Sequence, residues 1–131
     1  MAKSINNLRA LIVDDDRVAL SVVSSVIRSI GVGQTLQAVN GEEALALFQS
    51  AKPRVDFIVC DWEMPKMSGI DLLKVLREAG ESTPFLMLTS HSDPDSVVAA
   101  KQGGVAGYIT KPFTPAQVER KVRSLLQTLT A

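Results

Sequence analysis

Apolar residues follow two rhythms along this chain. Short unbroken runs alternate with longer stretches in which apolar positions recur every three or four residues. The unbroken runs are Ala10-Leu11-Ile12-Val13, Phe57-Ile58-Val59-Cys60 and Phe85-Leu86-Met87-Leu88. Four apolar, β-rich residues in a row predict a strand buried on both faces. The first run extends back to Leu8. Two weaker stretches join these three. Thr35 to Val39 is less apolar, as expected near a sheet edge, and Ala106 to Ile109 reads as a fifth strand.

Between the runs the period changes to that of a helix. From Arg17, Ala19, Val22, Val23, Val26, Ile27 and Ile30 recur at helical spacing, and Gly31 ends the helix. Asn40 is placed to cap a second helix, with Glu43 three residues on. That helix carries Ala44, Leu45, Leu47 and Phe48 and stops before Pro53. A third is predicted over 68–78 on Ile70, Leu72, Leu73 and Leu76. Ser92-Asp93-Pro94-Asp95 opens a fourth, which holds Val97, Val98, Ala99 and Ala100 and closes at Gly103-Gly104. Thr114-Pro115-Ala116-Gln117 has capping-box form, and the last helix carries Val118, Val122, Leu125, Leu126 and Leu129. Residues 1–7 are polar and read as a loose segment.

The pattern is strand then helix, five times over. It predicts a parallel sheet covered by helices on both faces, with right-handed crossovers. Periodicity does not set the strand order. A flavodoxin-like order, 2-1-3-4-5, would put the first and third strands side by side with the topological switch point between them.

The strand ends carry the candidate chemistry. The first strand ends in Asp14 and Asp15, the third in Asp61, the fourth in Thr89 and the fifth in Lys111. In a parallel sheet these ends share one edge, so distant residues converge. Asp16 reads as a helix cap. Carboxylates crowded together repel and retain protons unless a cation is present. A hard divalent ion such as Mg²⁺, which takes oxygen ligands, answers that need. The chain has one histidine, His91, and one cysteine, Cys60, so zinc ligands are lacking. With a metal and Lys111 offsetting charge, the edge suits a phosphoryl group. Asp61 would then be the nucleophile and Thr89 a hydroxyl donor to the phosphoryl oxygens.

Composition narrows the class. A length of 131 residues predicts one domain, 1–131. Such a chain buries roughly two thirds of its unfolded surface and needs no staples. Lys+Arg and Asp+Glu number 14 each, so no net charge marks a nucleic-acid or membrane surface. The lone Cys60 lies in a buried strand and reads as an inert core thiol. No apolar run reaches membrane-spanning length and no signal-peptide core is present, so the expected location is cytoplasmic.

Together these residues resemble the receiver domains of bacterial response regulators over essentially the whole chain. The resemblance rests on Leu11-Ile12-Val13-Asp14-Asp15, on Asp61-Trp62-Glu63-Met64-Pro65 with Ser68-Gly69, on Thr89, and on Lys111-Pro112-Phe113. Asp61-Trp62, Leu72-Leu73-Lys74 and Gly107-Tyr108-Ile109-Thr110 bring it nearest to the single-domain chemotaxis members. It implies a flavodoxin-like (βα)5 three-layer α/β sandwich with a five-stranded parallel sheet in the order 2-1-3-4-5. It implies that Asp61 accepts a phosphoryl group from a sensor histidine kinase. Asp14, Asp15, Asp61 and the backbone carbonyl of Glu63 would hold Mg²⁺, and Lys111 would contact the phosphate. Thr89 and Tyr108 would form the switch pair, Thr89 moving toward the phosphoryl group as Tyr108 turns inward. The Lys111-Pro112 bond is expected to be cis. The protein would be a phospho-acceptor switch of a two-component system, not a turnover enzyme.

Glu63 stands where the chemotaxis members carry an amide and is expected to modulate the phosphoryl lifetime. His91, two residues after Thr89, reads as a rim residue or as a second modulator of that lifetime. By resemblance, a downstream protein would bind the fourth helix, fifth strand and fifth helix, with no direct nucleic-acid contact and no membrane insertion. Lys101, Gln117, Arg120, Lys121 and Arg123 decorate that face. They fit a docking surface or a solvated face equally well. The sequence reads either as a stand-alone regulator or as a receiver cut from a multidomain regulator or hybrid kinase. Two rivals remain. A small Mg²⁺-dependent aspartyl-phosphate phosphatase would use Glu63 as its second carboxylate. A nucleotide or flavin module would need a glycine-rich phosphate loop, which is missing.

Overall fold

The computed structural model describes residues 4–91 and 93–130. Ser92, placed by the sequence at the opening of the fourth helix, lies outside them. Five strands and five α-helices alternate: β1 (Arg9–Val13), α1 (Arg17–Ile30), β2 (Gln34–Ala38), α2 (Gly41–Ser50), β3 (Phe57–Asp61), α3 (Gly69–Glu78), β4 (Phe85–Thr89), α4 (Pro94–Gln102), β5 (Gly107–Thr110) and α5 (Pro115–Thr130). The strands form one sheet in the order β2-β1-β3-β4-β5, every neighbouring pair parallel. This is the flavodoxin-like arrangement, and β1 and β3 do lie side by side.

The unbroken apolar runs have a simple cause. Successive strand residues point to opposite faces. Ala10 and Ile12 of β1, Phe57 and Val59 of β3, and Leu86 and Leu88 of β4 pack into one core with α1 and α5. Their neighbours Leu11 and Val13, Ile58 and Cys60, and Phe85 and Met87 pack into the other, with Ala44 of α2 and Leu72, Leu73 and Leu76 of α3. With helices on both faces no position in these three runs is left to water, so none needs to be polar.

The helix ends follow their signals. Asp16 accepts from Val18 N, Asn40 from Glu43 N, Ser68 from Asp71 N and Asp93 from Ser96 N. Thr114 and Gln117 exchange side-chain-to-backbone bonds, a complete capping box. Gly31 ends α1 in the left-handed conformation.

Three expectations shift. β2 and β5 are displaced by one residue from the ranges read in the sequence, β2 toward the N-terminus and β5 toward the C-terminus. Both are edge strands, whose weaker apolar pattern sets the register loosely. Residues 5–7 form a 3-10 turn, and Ile5 packs against the core beside α1. In α4 only Ala100 is buried, and Val98 is 51% exposed. Four consecutive residues span most of a helix circumference, so Val97 to Ala100 cannot all face inward.

The loop between β3 and α3 is held by close backbone contacts. Gly69 N donates to Trp62 O and Gly41 N to Met67 O. A Cβ at Gly69 would stand 2.3 Å from the Asp61 carbonyl oxygen. Gly69→Ala is expected to lower stability by about 1–3 kcal/mol through this overpacking. Urea unfolding of Gly69→Ala and wild type checks it.

Candidate functional site

Backbone hydrogen bonds between adjacent strands carry the site residues to one edge. Asp14 N donates to Ala38 O at 3.1 Å, tying the end of β1 to β2. Trp62 N donates to Leu88 O and Lys111 N to Thr89 O, both at 2.8 Å. The β3 and β5 ends are thus fixed on either side of β4. Asp61 is the last residue of β3 and pairs in register with Leu88.

The side chains then converge. Lys111 Nζ lies 3.1 Å from Asp14 Oδ2 and 3.2 Å from Asp61 Oδ1. Asp14, Asp15 and Asp61 each present a carboxylate oxygen, and all three atoms lie within 4.8 Å of one another. Asp14 and Asp61 are buried, and Asp15 is exposed. Asp14 Oδ1 also accepts from Asp16 N at 2.9 Å, so the helix cap and the acidic pair share one turn. Three hard oxygen donors, with no imidazole or thiolate in the cluster, fit a small divalent cation such as Mg²⁺. The Lys111-Pro112 bond is cis, as expected; Lys52-Pro53 is cis as well, which the sequence did not signal.

Electrostatics sets the two key groups. Burial, then the charge of Asp14, pushes the Asp61 carboxyl up from 3.8 to about 6, against Lys111 and the Glu63 N–H, which lower it. Burial pulls the Lys111 ammonium down, but Asp14 and then Asp61 outweigh it, and the net shift is upward. Cys60 is fully buried and its thiol is raised, by burial and then by Asp61 and Asp14. It stays an inert core group.

The loop after β4 faces the loop after β3. Thr89 is buried, and its Oγ1 accepts from His91 N at 2.8 Å. Ser90 Oγ donates to Glu63 Oε1 at 2.7 Å, and His91 Nε2 lies 3.3 Å from the same oxygen. The His91 ring stacks on Trp62 at 5.1 Å between centroids. Tyr108 donates its hydroxyl proton to His91 O. Tyr108 is half-buried; burial raises its phenol above the ordinary value, opposed by a hydrogen bond with Thr89. The site residues read in the sequence therefore fall into two groups. Asp14, Asp15, Asp61 and Lys111 meet directly, while Thr89, Tyr108, Glu63 and His91 are linked through the two loops. Sequence reasoning did not single out Ser90 or the Trp62 stack, since a serine or an aromatic in a loop carries no signal of its partner.

Comparison with known proteins adds the last observation: residues 10–123 match the model of the response regulator receiver domain. The chain belongs to that family. It is 39% identical to the chemotaxis protein CheY-3 of Vibrio cholerae over 94% of this chain and 95% of that one. The solved structure of CheY4 from Vibrio cholerae superposes with a TM-score of 0.82 at 32% identity, covering 91% of this chain and 98% of that one. The CheX-CheY-BeF3-Mg²⁺ complex from Borrelia burgdorferi superposes with a TM-score of 0.84 at 28% identity, over 90% of this chain and 88% of that one. Receiver domains act as phospho-acceptor switches and bind Mg²⁺ at an acidic pocket. This chain is thus a CheY-like receiver domain of two-component signalling.

The raised Asp61 carboxyl has a stability consequence. The folded state holds its proton more tightly than the unfolded state, so stability is lost as pH rises from about 4 through 6. Asp61→Asn removes that ionisation. In metal-free buffer it is expected to raise unfolding free energy at pH 7.5 by on the order of 2 kcal/mol. The gain should vanish below pH 4. Urea denaturation of both proteins across this range measures it, and equal stabilities at pH 7.5 would contradict it.

Proposed function

We propose that the whole chain, 1–131, acts as one receiver domain in which Asp61 accepts a phosphoryl group from a sensor histidine kinase. The contact of Lys111 with both Asp14 and Asp61, beside the three-carboxylate cluster, carries this reading. In the transfer, Asp61 Oδ attacks phosphorus, the phosphorus–nitrogen bond of the phosphohistidine breaks, and the imidazole leaves. Lys111 is already within reach of Asp61 Oδ1 and offsets the charge gathering on the phosphoryl oxygens. Asp14, Asp15, Asp61 and the backbone carbonyl of Glu63 are the residues that would hold Mg²⁺, which when bound supplies further positive charge at those oxygens.

Thr89 and Tyr108 form the switch pair in this reading. The Thr89 hydroxyl gives up its place against His91 N and moves toward the phosphoryl group, and the position of Tyr108 reports the change. The exposed face of α4, β5 and α5 carries the signal to a downstream protein partner; the BeF3-Mg²⁺ complex of the Borrelia relative with CheX supports an output of this kind. No helix among the described residues is long and apolar enough to cross a membrane. We place the protein in the cytoplasm, signalling by protein contact rather than on nucleic acid. The grip of Ser90 and His91 on Glu63 Oε1 favours the switch over a phosphatase, because the second carboxylate is engaged by the opposite loop.

Incubation with Mg²⁺ and acetyl phosphate tests the acceptor. One phosphoryl group should map to Asp61, with none in Asp61→Asn; label on another residue, or retained in Asp61→Asn, would overturn the reading. Asp15→Asn should weaken Mg²⁺ binding by about tenfold or more, since one full charge is lost beside a divalent ion. Fluorescence of Trp62, the one tryptophan in the sequence, measures this directly. Glu63→Asn should change the rate at which the phosphoryl group is lost, and equal decay rates would count against a role for that carboxylate.

A further inference from the structure

Two loops meet over the end of β3, and one residue touches both the acceptor side and the output side. The ring of His91 stacks on Trp62, the residue after Asp61, with centroids 5.1 Å apart and planes 29° from parallel. Its Nε2 lies 3.3 Å from Glu63 Oε1, the oxygen that also accepts from Ser90 Oγ at 2.7 Å. Its Nδ1 faces Asp93 Oδ1 at 3.9 Å. Its backbone does something different. His91 N donates to Thr89 Oγ1, and His91 O accepts from the Tyr108 hydroxyl. The side chain of His91 is therefore fastened to the β3–α3 loop, while its peptide groups hold Thr89 and Tyr108.

We infer that His91 is a positioning residue: its clasp on Trp62 and Glu63 sets the β4–α4 loop so that its carbonyl receives the Tyr108 hydroxyl. The inference rests on the switch reading above and names a connection within it. Without the ring, nothing in the side-chain contacts of His91 ties the carbonyl to the acceptor loop. Tyr108 then loses its fixed acceptor and leaves its half-buried position more often. An aromatic ring without nitrogens keeps the stack and loses the contact with Glu63, so it should restore part of the effect. The clasp also gives Glu63 a use: its carboxylate is the anchor on the β3–α3 loop.

The chain contains one tyrosine. The 131-residue chain grown with 3-fluorotyrosine therefore shows Tyr108 alone in its ¹⁹F spectrum. The fraction of Tyr108 in the His91-bonded position is compared in wild type, His91→Phe and His91→Ala, without phosphodonor. The expected order is wild type above His91→Phe above His91→Ala. The equilibrium should shift between wild type and His91→Ala by about two- to tenfold, the worth of one aromatic pair. An unchanged Tyr108 signal in His91→Ala would overturn the inference, as would a His91→Phe signal no closer to wild type than that of His91→Ala. These resting spectra judge the clasp on their own. The response of wild-type protein to acetyl phosphate and Mg²⁺ judges the phospho-acceptor reading separately.

Discussion

Like charge held at one edge of the sheet is the constraint on which the rest of this structure depends. Asp14 and Asp61 are buried within reach of one ammonium group, with Asp15 close by. In water such carboxylates would separate; here the backbone forbids it. Asp14 is bonded to β2, Trp62 to β4 and Lys111 to β4, so each charge is fixed by the ladder that ends beside it. One lysine does not neutralise three carboxylates. Burial first, and then the remaining repulsion from Asp14, push the Asp61 carboxyl up, and the same crowding of charge suits the site to a divalent cation.

That arrangement reaches outward through the loops. The β3–α3 loop lies tightly against the Asp61 backbone because Gly69 has no side chain to hold it off. The loop then presents Trp62 and Glu63 to Ser90 and His91. From His91 the contact passes through one backbone carbonyl to Tyr108, on the strand that borders the proposed output face. Asp61, the two loops and Tyr108 form one chain of contacts. A change of charge at Asp61 acts on a structure in which each next group has a defined partner.

Much of this was legible in the sequence, for reasons that differ by element. The three central strands announced themselves because burial on both faces leaves only apolar residues. Convergence of Asp14, Asp15, Asp61 and Lys111, with Thr89 at the end of the strand between, follows from one rule, that parallel strands end on the same edge. The capping residues Asp16, Asn40 and Thr114 are readable because their bonds are local; Ser68, which also caps its helix, was not singled out. The edge strands β2 and β5 were each misplaced by one residue, since a half-exposed strand carries a weaker pattern. The apolar run Val97 to Ala100 does not say which of its residues faces out, and Val98 is exposed. The links of His91 to Trp62, Glu63 and Tyr108 join separate loops and strands, and no periodicity encodes contacts between loops. The side-chain bond from Ser90 to Glu63 was invisible for the same reason.

The charge state of the Asp61 carboxyl group governs the site. NMR titration of the Asp61 side-chain carbon in metal-free protein measures it directly. The expected midpoint is near 6 and moves down when Mg²⁺ is added, because the cation takes over the role of the proton. A midpoint at the ordinary aspartate value of 3.8, unmoved by Mg²⁺, would contradict it.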